Sequence, residues 1–290
     1  MIENTLIKNS PVQEVESLNV ERIVKDYKKK YGVDVSYLFN NTPEVKIIKC
    51  TKTGFRFYYP LSVEGDNKFY VDLYSLNKER LYQITKWEFK EAAKIIKDGA
   101  SVLDVGCGGG NFFEELKGKN CKCYGLDKSD YAGELLRSKG IEFTNEAIET
   151  FAEKNQEKFD YVTGFQILEH VKHPGDFVAS MAKMLKKDGT LIIAVPNNEP
   201  YFLKYDKYHT LNLPPHHMGM WNKESLTNIA PHFGLKLHDF KYEGLDYIAN
   251  FFTKKTGLKG AFFSGMVKFF FKLFNNSLGK RTALAIYKKL

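Results

Sequence analysis

The run Val102-Leu103-Asp104-Val105-Gly106-Cys107-Gly108-Gly109-Gly110-Asn111-Phe112 constrains the fold more than any other part of this 290-residue chain. An apolar segment ends in a carboxylate and breaks into four glycines within five residues. That pattern reads as a buried strand turning sharply into a helix. Val102, Leu103 and Val105 suit a parallel strand covered on both faces, because such strands are near-continuous apolar runs. Gly106, Gly108 and Gly110 permit positive φ and let the backbone approach a ligand with no Cβ in the way. Backbone N–H groups at the start of the following helix would attract an anionic group.

Spacing separates the usual owners of such a loop. A phosphate-binding P-loop needs Lys and then Ser or Thr after its last glycine, where this chain has Asn111-Phe112. The nicotinamide-dinucleotide fingerprint wants Gly-x-Gly-x-x-Gly, and its third glycine would fall at Asn111. What remains is Gly-x-Gly-x-Gly after Leu-Asp-Val, which resembles the first motif of the class I S-adenosylmethionine-dependent methyltransferases. A second element stands in the matching place. Cys121-Lys122-Cys123-Tyr124-Gly125-Leu126-Asp127 is a short strand ending in an acid roughly 20 residues after the first glycine, where a ribose-binding carboxylate belongs.

The resemblance extends along the chain. It implies S-adenosylmethionine as cofactor, with Asp104, Gly106, Cys107, Gly108 and Gly110 around it and Asp127 on its two ribose hydroxyls. Glu146 and Ala147 fall where the family often has an Asp-Ala pair against the adenine, and the change from Asp to Glu is a departure from that pattern. Phe159 to Phe165 is the fourth strand, and Phe165 and Gln166 at its end would flank the cofactor. The next residues, Leu168-Glu169-His170-Val171, match a family signature near the substrate. Thr190 to Asn197 is again a family-like strand, and Asn212 to Trp221 resembles the Pro-Pro-His-His loop of some small-molecule and glycan methyltransferases, with His216 and His217 in it.

A hydroxyl acceptor adds a chemical requirement. It is too weak an acid to ionise at neutral pH, so its proton must leave as the methyl arrives, and a neutral histidine can accept it. His170, at a rigid strand end and steadied by Glu169, is the expected base. One of His216 and His217 is expected to orient the acceptor.

Composition excludes several classes. With 43% hydrophobic and 14% aromatic residues the chain can bury a large core, so it is not a disordered segment. The net charge of +8 would suit nucleic acid or an anionic surface, but the lysines are scattered. Nucleic-acid amino-methylation usually shows Asn/Asp-Pro-Pro-Tyr where this chain has Gln166-Ile167-Leu168-Glu169, so no nucleic-acid partner is expected. Residues 1–19 carry Glu3, Glu14 and Glu16 and no apolar run of signal-peptide length, which points to the cytoplasm. Cys50 has no cysteine nearby, Cys107 lies in the glycine loop, and Cys121 and Cys123 share one strand face, so no metal site is expected.

The expected fold is α/β: a Rossmann-like, seven-stranded, mostly parallel sheet with helices on both faces. An N-terminal extension over 1–80 carries a helix at Val20–Lys30 and a hairpin over Val45–Pro60. The cofactor-binding core spans 81–244, an aromatic helical insertion 245–278, and the final strand 279–290. Tyr82 and Trp87, before a helix over Trp87–Lys97, are candidate lid residues. Lys268 and Lys272 form a polar stripe on the insertion, which is too short to span a bilayer and could lie on a membrane surface through 262–274. The expected activity is methyl transfer to a hydroxyl, and less readily an amine or carbon, of a small molecule or glycan, with cell-envelope polysaccharide the first candidate. Two alternatives stay open: a non-catalytic cofactor-binding scaffold subunit, and a membrane-peripheral methyltransferase acting on a quinone-like lipid.

Overall fold

The structure, a computed structural model, describes residues 2–40, 42–81, 86–199, 207–243 and 281–290. Tyr82, Lys268, Lys272 and the whole insertion at 245–278 lie outside the described residues. In chain order the strands and helices begin with β1 (Val12–Asn19), α1 (Val20–Tyr31), β2 (Glu44–Cys50), β3 (Arg56–Tyr59), α2 (Asn67–Leu81) and α3 (Trp87–Ile95). The central part contains β4 (Ser101–Val105), α4 (Asn111–Glu114), β5 (Lys122–Leu126), α5 (Asp130–Ser138), β6 (Glu142–Thr144), α6 (Ile148–Lys154) and β7 (Phe159–Phe165). Then follow α7 (Pro174–Met184), β8 (Leu185–Pro196), β9 (Gly219–Met220), α8 (Lys223–Ile229), β10 (Leu235–Tyr242) and β11 (Thr282–Lys289).

Seven strands form the main sheet in the order β10-β11-β8-β7-β4-β5-β6. The four pairings among β8, β7, β4, β5 and β6 are parallel, and β11 is antiparallel to both its neighbours. Side chains alternate across a strand, so neighbouring residues enter different cores. Val102, Ile192 and Leu284 pack on one face with Phe89, Ala92 and Leu136 from α3 and α5. Leu103, Leu191, Ile193, Ala283 and Ala285 pack on the other, against Ile148, Val178, Met181 and Leu226 from α6, α7 and α8. Helices on both faces explain why Val102 and Leu103 in β4 and Leu191 to Val195 in β8 are consecutive apolar residues. The chain leaves β4 toward β5 on one side and returns to β7 on the other, and a crevice opens at that reversal beyond the carboxyl ends of the strands.

A second sheet, β1-β2-β3-β9, is antiparallel throughout. Its core joins Ile23 and Tyr27 of α1, Phe69 and Leu73 of α2, Val45 and Ile47 of β2, and Tyr208, Leu213, Met218 and Met220 from far along the chain. The loop with the paired histidines is thus built into the N-terminal unit, although the expected boundaries assigned it to 81–244. α1 forms as its pattern predicts. The Asn19 side chain accepts from Arg22 N–H at its start, and Gly32 closes it at φ +73°.

Several elements depart from the sequence reading. β1 was not foreseen, because only Leu18 in it is fully buried and the remaining residues alternate weakly. The sequence shows no clear helical period over α2; the Asp66 side chain accepts from Phe69 N–H at its first turn, and Phe69 and Leu73 face inward while Val71, Tyr74 and Leu76 stay exposed. The helix expected after the glycine loop is a single turn, α4, so its dipole adds little for an anion. β8 starts before the expected strand at Thr190–Asn197 and carries an irregularity at Lys186–Gly189, where Asp188 takes φ +60° and pairing with β7 jumps from Leu185 to Thr190.

Candidate active site

β4 delivers the glycine loop to the crevice. Gly106 stands at φ +74°, and a Cβ there would come within 3.0 Å of the Ile167 side chain, so only glycine fits. At Gly108, with φ +48°, a Cβ would meet nothing within 4 Å, which marks the open side of the loop. Gly110 also has positive φ, at +72°. Asp127, at the end of β5, reaches back to this loop: one carboxylate oxygen accepts from Gly108 N–H at 2.9 Å and the other from Ser129 N–H at 2.9 Å. Each oxygen keeps acceptor capacity for a ligand hydroxyl. Asp104 is buried and accepts from the Thr163 hydroxyl at 2.7 Å. Burial, with the neighbouring charge of Asp127 adding to it, raises its carboxyl to about 7.

The other candidate cofactor residues divide. Gln166 sits at φ +54° at the end of β7, with its amide donating to Glu88 at 3.0 Å. Glu146 is held by Lys154 at 2.6 Å, and Ala147 is the exposed residue that precedes α6. Cys107 is buried within the glycine loop, and burial raises its thiol above the ordinary range. The Phe165 side chain is buried. It is packed between Phe89 and Phe112, with ring centroids 5.1 and 4.8 Å away. Trp87 likewise packs partly buried against the core on that face of the sheet.

The histidine cluster is assembled from two distant segments. Glu169 follows β7, is 1% exposed, and its carbonyl accepts from Met218 N–H at 2.7 Å and Gly219 N–H at 2.9 Å. Those two bonds dock the histidine loop beside it. The Tyr27 hydroxyl donates to Leu213 O and the Tyr58 hydroxyl to Asn212 O, each at 2.9 Å, and Asn198 donates to the Asn212 side chain at 2.8 Å. The N-terminal unit therefore positions the loop, a role the sequence alone did not show for Tyr27, Tyr58 or Asn212.

His170, His216 and His217 come together as a triangle with ring centroids 4.6 to 4.8 Å apart. His170 Nδ1 lies 2.6 Å from His216 O, and its Nε2 lies 3.8 Å from a Glu169 carboxyl oxygen. Burial lowers all three rings below the usual histidine range, to about 3 for His170 and about 4 for His216. They are neutral at physiological pH. Burial acts oppositely on Glu169 and raises it to about 8. A cleft of about 330 Å³ lined by Lys97, Asp160, Lys186 and Lys288 lies at the opposite ends of the strands, away from all these groups.

A glycine loop at a chain reversal, an acid ending the next strand and a histidine-bearing turn after the fourth define the class I S-adenosylmethionine-dependent methyltransferase architecture. Residues 77–239 match the family described as a methyltransferase domain, and the chain belongs to that family. It is 31% identical over 134 residues to the ubiquinone biosynthesis O-methyltransferase of Hahella chejuensis, which covers 43% of this chain and 56% of that protein. To the enzyme of the same name from Thiobacillus denitrificans it is 29% identical over 164 residues, 54% of this chain and 65% of that one. The chain thus spans roughly half to two thirds of these curated relatives. A SAM dependent methyltransferase from Archaeoglobus fulgidus superposes with a TM-score of 0.55 at 17% identity, over 77% of this chain and 100% of that one, a likeness of fold alone. Among the described residues no helix is long and apolar enough to cross a membrane.

The donor set fits the family's cofactor. Asp127 offers free acceptor capacity for ribose hydroxyls, the open side of Gly108 admits close backbone approach, and the buried Asp104 favours a cationic group beside the loop.

Proposed function

We propose that the chain methylates a hydroxyl of a small aromatic molecule. The observation that carries this reading is the group of three neutral imidazoles, His216 and His217 buried and His170 half-buried, with Glu169 at the carboxyl end of β7, beside the crevice that holds the glycine loop. S-adenosylmethionine supplies an electrophilic methyl on sulfur, and its C–S bond breaks as the new O–CH₃ bond forms. The chain's own residues have two tasks. Gly106–Gly110 and Asp127 fix the cofactor, and in-line alignment of this kind can supply ~7–11 kcal/mol of the barrier. The histidine cluster receives the hydroxyl and takes its proton.

His170 is the ring that reaches solvent, at 18% side-chain exposure. The Nδ1 contact with a carbonyl oxygen fixes that proton on Nδ1, so the lone pair is on Nε2, toward Glu169. Above about pH 8, where Glu169 is ionised, His170 Nε2 can accept the proton and form an ion pair with the carboxylate. A phenolic hydroxyl, ordinarily near pKa ~10, is within reach of such a base. A sugar hydroxyl is a far weaker acid. The curated relatives are named for O-methylation in ubiquinone biosynthesis, which favours the quinone-like alternative over the glycan acceptor.

The test is formation of S-adenosylhomocysteine from labelled cofactor with a panel of catechols, polyprenylated phenols and sugars. Turnover with catechols and none with sugars is expected. Turnover confined to sugars would reject the aromatic acceptor, and none with any hydroxyl while amines react would reject O-methylation.

A further inference from the structure

The histidine triangle is more ordered than a proton acceptor requires. One ring nitrogen from each of His170, His216 and His217 lies within 4.8 Å of the other two. Each Nδ1 faces an oxygen that can only accept: His216 O at 2.6 Å, Leu211 O at 2.9 Å and Asn212 Oδ1 at 3.2 Å, respectively. All three rings therefore carry their proton on Nδ1 and keep a lone pair on Nε2. His216 Nε2 is buried with no hydrogen-bond partner among the described residues, and so is Glu169 Oε2. Buried acceptors without donors are rare in native proteins and call for an occupant.

We propose that His170, His216 and His217 bind one divalent transition-metal ion, zinc in kind, through their Nε2 atoms, with Glu169 beside it. Neutral imidazoles and a carboxylate are the ligands such ions prefer, and a ligating histidine almost always donates its other N–H to a carbonyl or carboxylate oxygen. Here all three do. Zinc–nitrogen bonds of ~2.0–2.1 Å in a tetrahedral site put ligand nitrogens about 3.4 Å apart, so the rings must close by about an ångström. Three protein nitrogens leave a fourth position open, as in catalytic rather than closed structural sites. Sequence spacing could not show this: 46 residues separate His170 from His216, and no paired cysteines announce a site.

Only the ion's chemical role rests on the proposed methylation. An acceptor hydroxyl in the fourth position would lose its proton more readily beside the cation. His170 would then be a ligand, and Glu169 would receive that proton.

Occupancy can be read without turnover. The whole chain, stripped with a chelator, is titrated with Co²⁺ and followed by visible absorption. One saturable equivalent with the intense bands of low-coordinate cobalt, displaced by one equivalent of Zn²⁺, is expected. His216→Ala and His217→Ala should weaken Co²⁺ binding by roughly a hundredfold or more, while the exposed His232→Ala keeps it. Absence of a saturable equivalent in the wild-type chain overturns the proposal whatever the variants do. So does full Co²⁺ affinity in a folded His216→Ala/His217→Ala double variant. Methyl transfer is scored separately: a chain that binds the ion and transfers no methyl retains the site and refutes the function, and full turnover in chelator refutes the ion's part in it.

Discussion

Glu169→Gln should make the metal-free protein more resistant to unfolding as the pH rises, while abolishing methyl transfer. The reason is linkage. Glu169 is 1% exposed, and burial moves its carboxyl from the ordinary 4.5 to about 8. Below pH 4.5 the carboxyl is protonated in both folded and unfolded chains and contributes no pH dependence. Between 4.5 and about 8 the unfolded chain releases this proton and the folded chain holds it, so stability falls with rising pH. Above about 8 both forms ionise and the loss is complete. The slope is ~1.4 kcal/mol per pH unit, about 3 kcal/mol between pH 6 and pH 8. Glutamine has no proton to release and lacks this slope.

A buried glutamine amide brings its own unsatisfied donors, which offsets part of the gain by ~1–3 kcal/mol. That offset is the same at every pH, so the informative quantity is the difference between variant and wild type as a function of pH. In a chain of this length about 3 kcal/mol corresponds to a widening of the Tm difference on the order of 5–10 °C from pH 6 to pH 8. Scanning calorimetry in chelator, with both proteins at matched pH, measures it. Parallel Tm curves over that interval would refute the buried, raised carboxyl. Adding Zn²⁺ should shrink the difference, because an ion beside Glu169 favours its charged form.

Three further outcomes follow from the site. Asp127→Ala should weaken S-adenosylmethionine binding roughly ten- to a hundredfold, since charge-assisted hydrogen bonds contribute ~1.5–3 kcal/mol; equal affinity by titration calorimetry would remove the ribose role. His170→Ala should lower turnover by roughly two to four orders of magnitude at unchanged cofactor affinity, and a variant with near-full turnover would move the chemistry to the loop histidines. Tyr58→Phe removes the hydroxyl that holds Asn212 O at 2.9 Å. It should cost about 1 kcal/mol of stability and raise KM for the acceptor without changing cofactor binding; an altered cofactor affinity instead would show that the N-terminal unit does not act through the loop.

The main sheet was readable in advance wherever local chemistry is decisive. Val102–Gly110 and Cys121–Asp127 carry their conformations in their own residues: apolar runs that need cover on both faces, glycines that permit positive φ, an acid at a strand end. α1 was readable from its helical apolar spacing over Val20–Lys30, and Asn19 and Gly32 cap it in the structure, Gly32 at positive φ. α2 and β1 were not, because their inward faces are set by a partner sheet rather than by a strong period of their own.

The histidine cluster was half readable. Sequence named His170, His216, His217 and Glu169 as chemical candidates, and the resemblance placed Phe165 at a strand end beside the cofactor, while the structure packs its ring between Phe89 and Phe112. What sequence by itself determined is the cofactor half, because a glycine loop followed by a placed acid works through backbone geometry within one βαβ unit. Only the tertiary structure decided the other half. Neutral histidines, a carboxyl raised to about 8 and three imidazoles gathered within 4.8 Å of one another follow from desolvation and from carbonyl partners in segments tens of residues apart. No spacing along a chain encodes the dielectric that surrounds a side chain once the chain has closed over it.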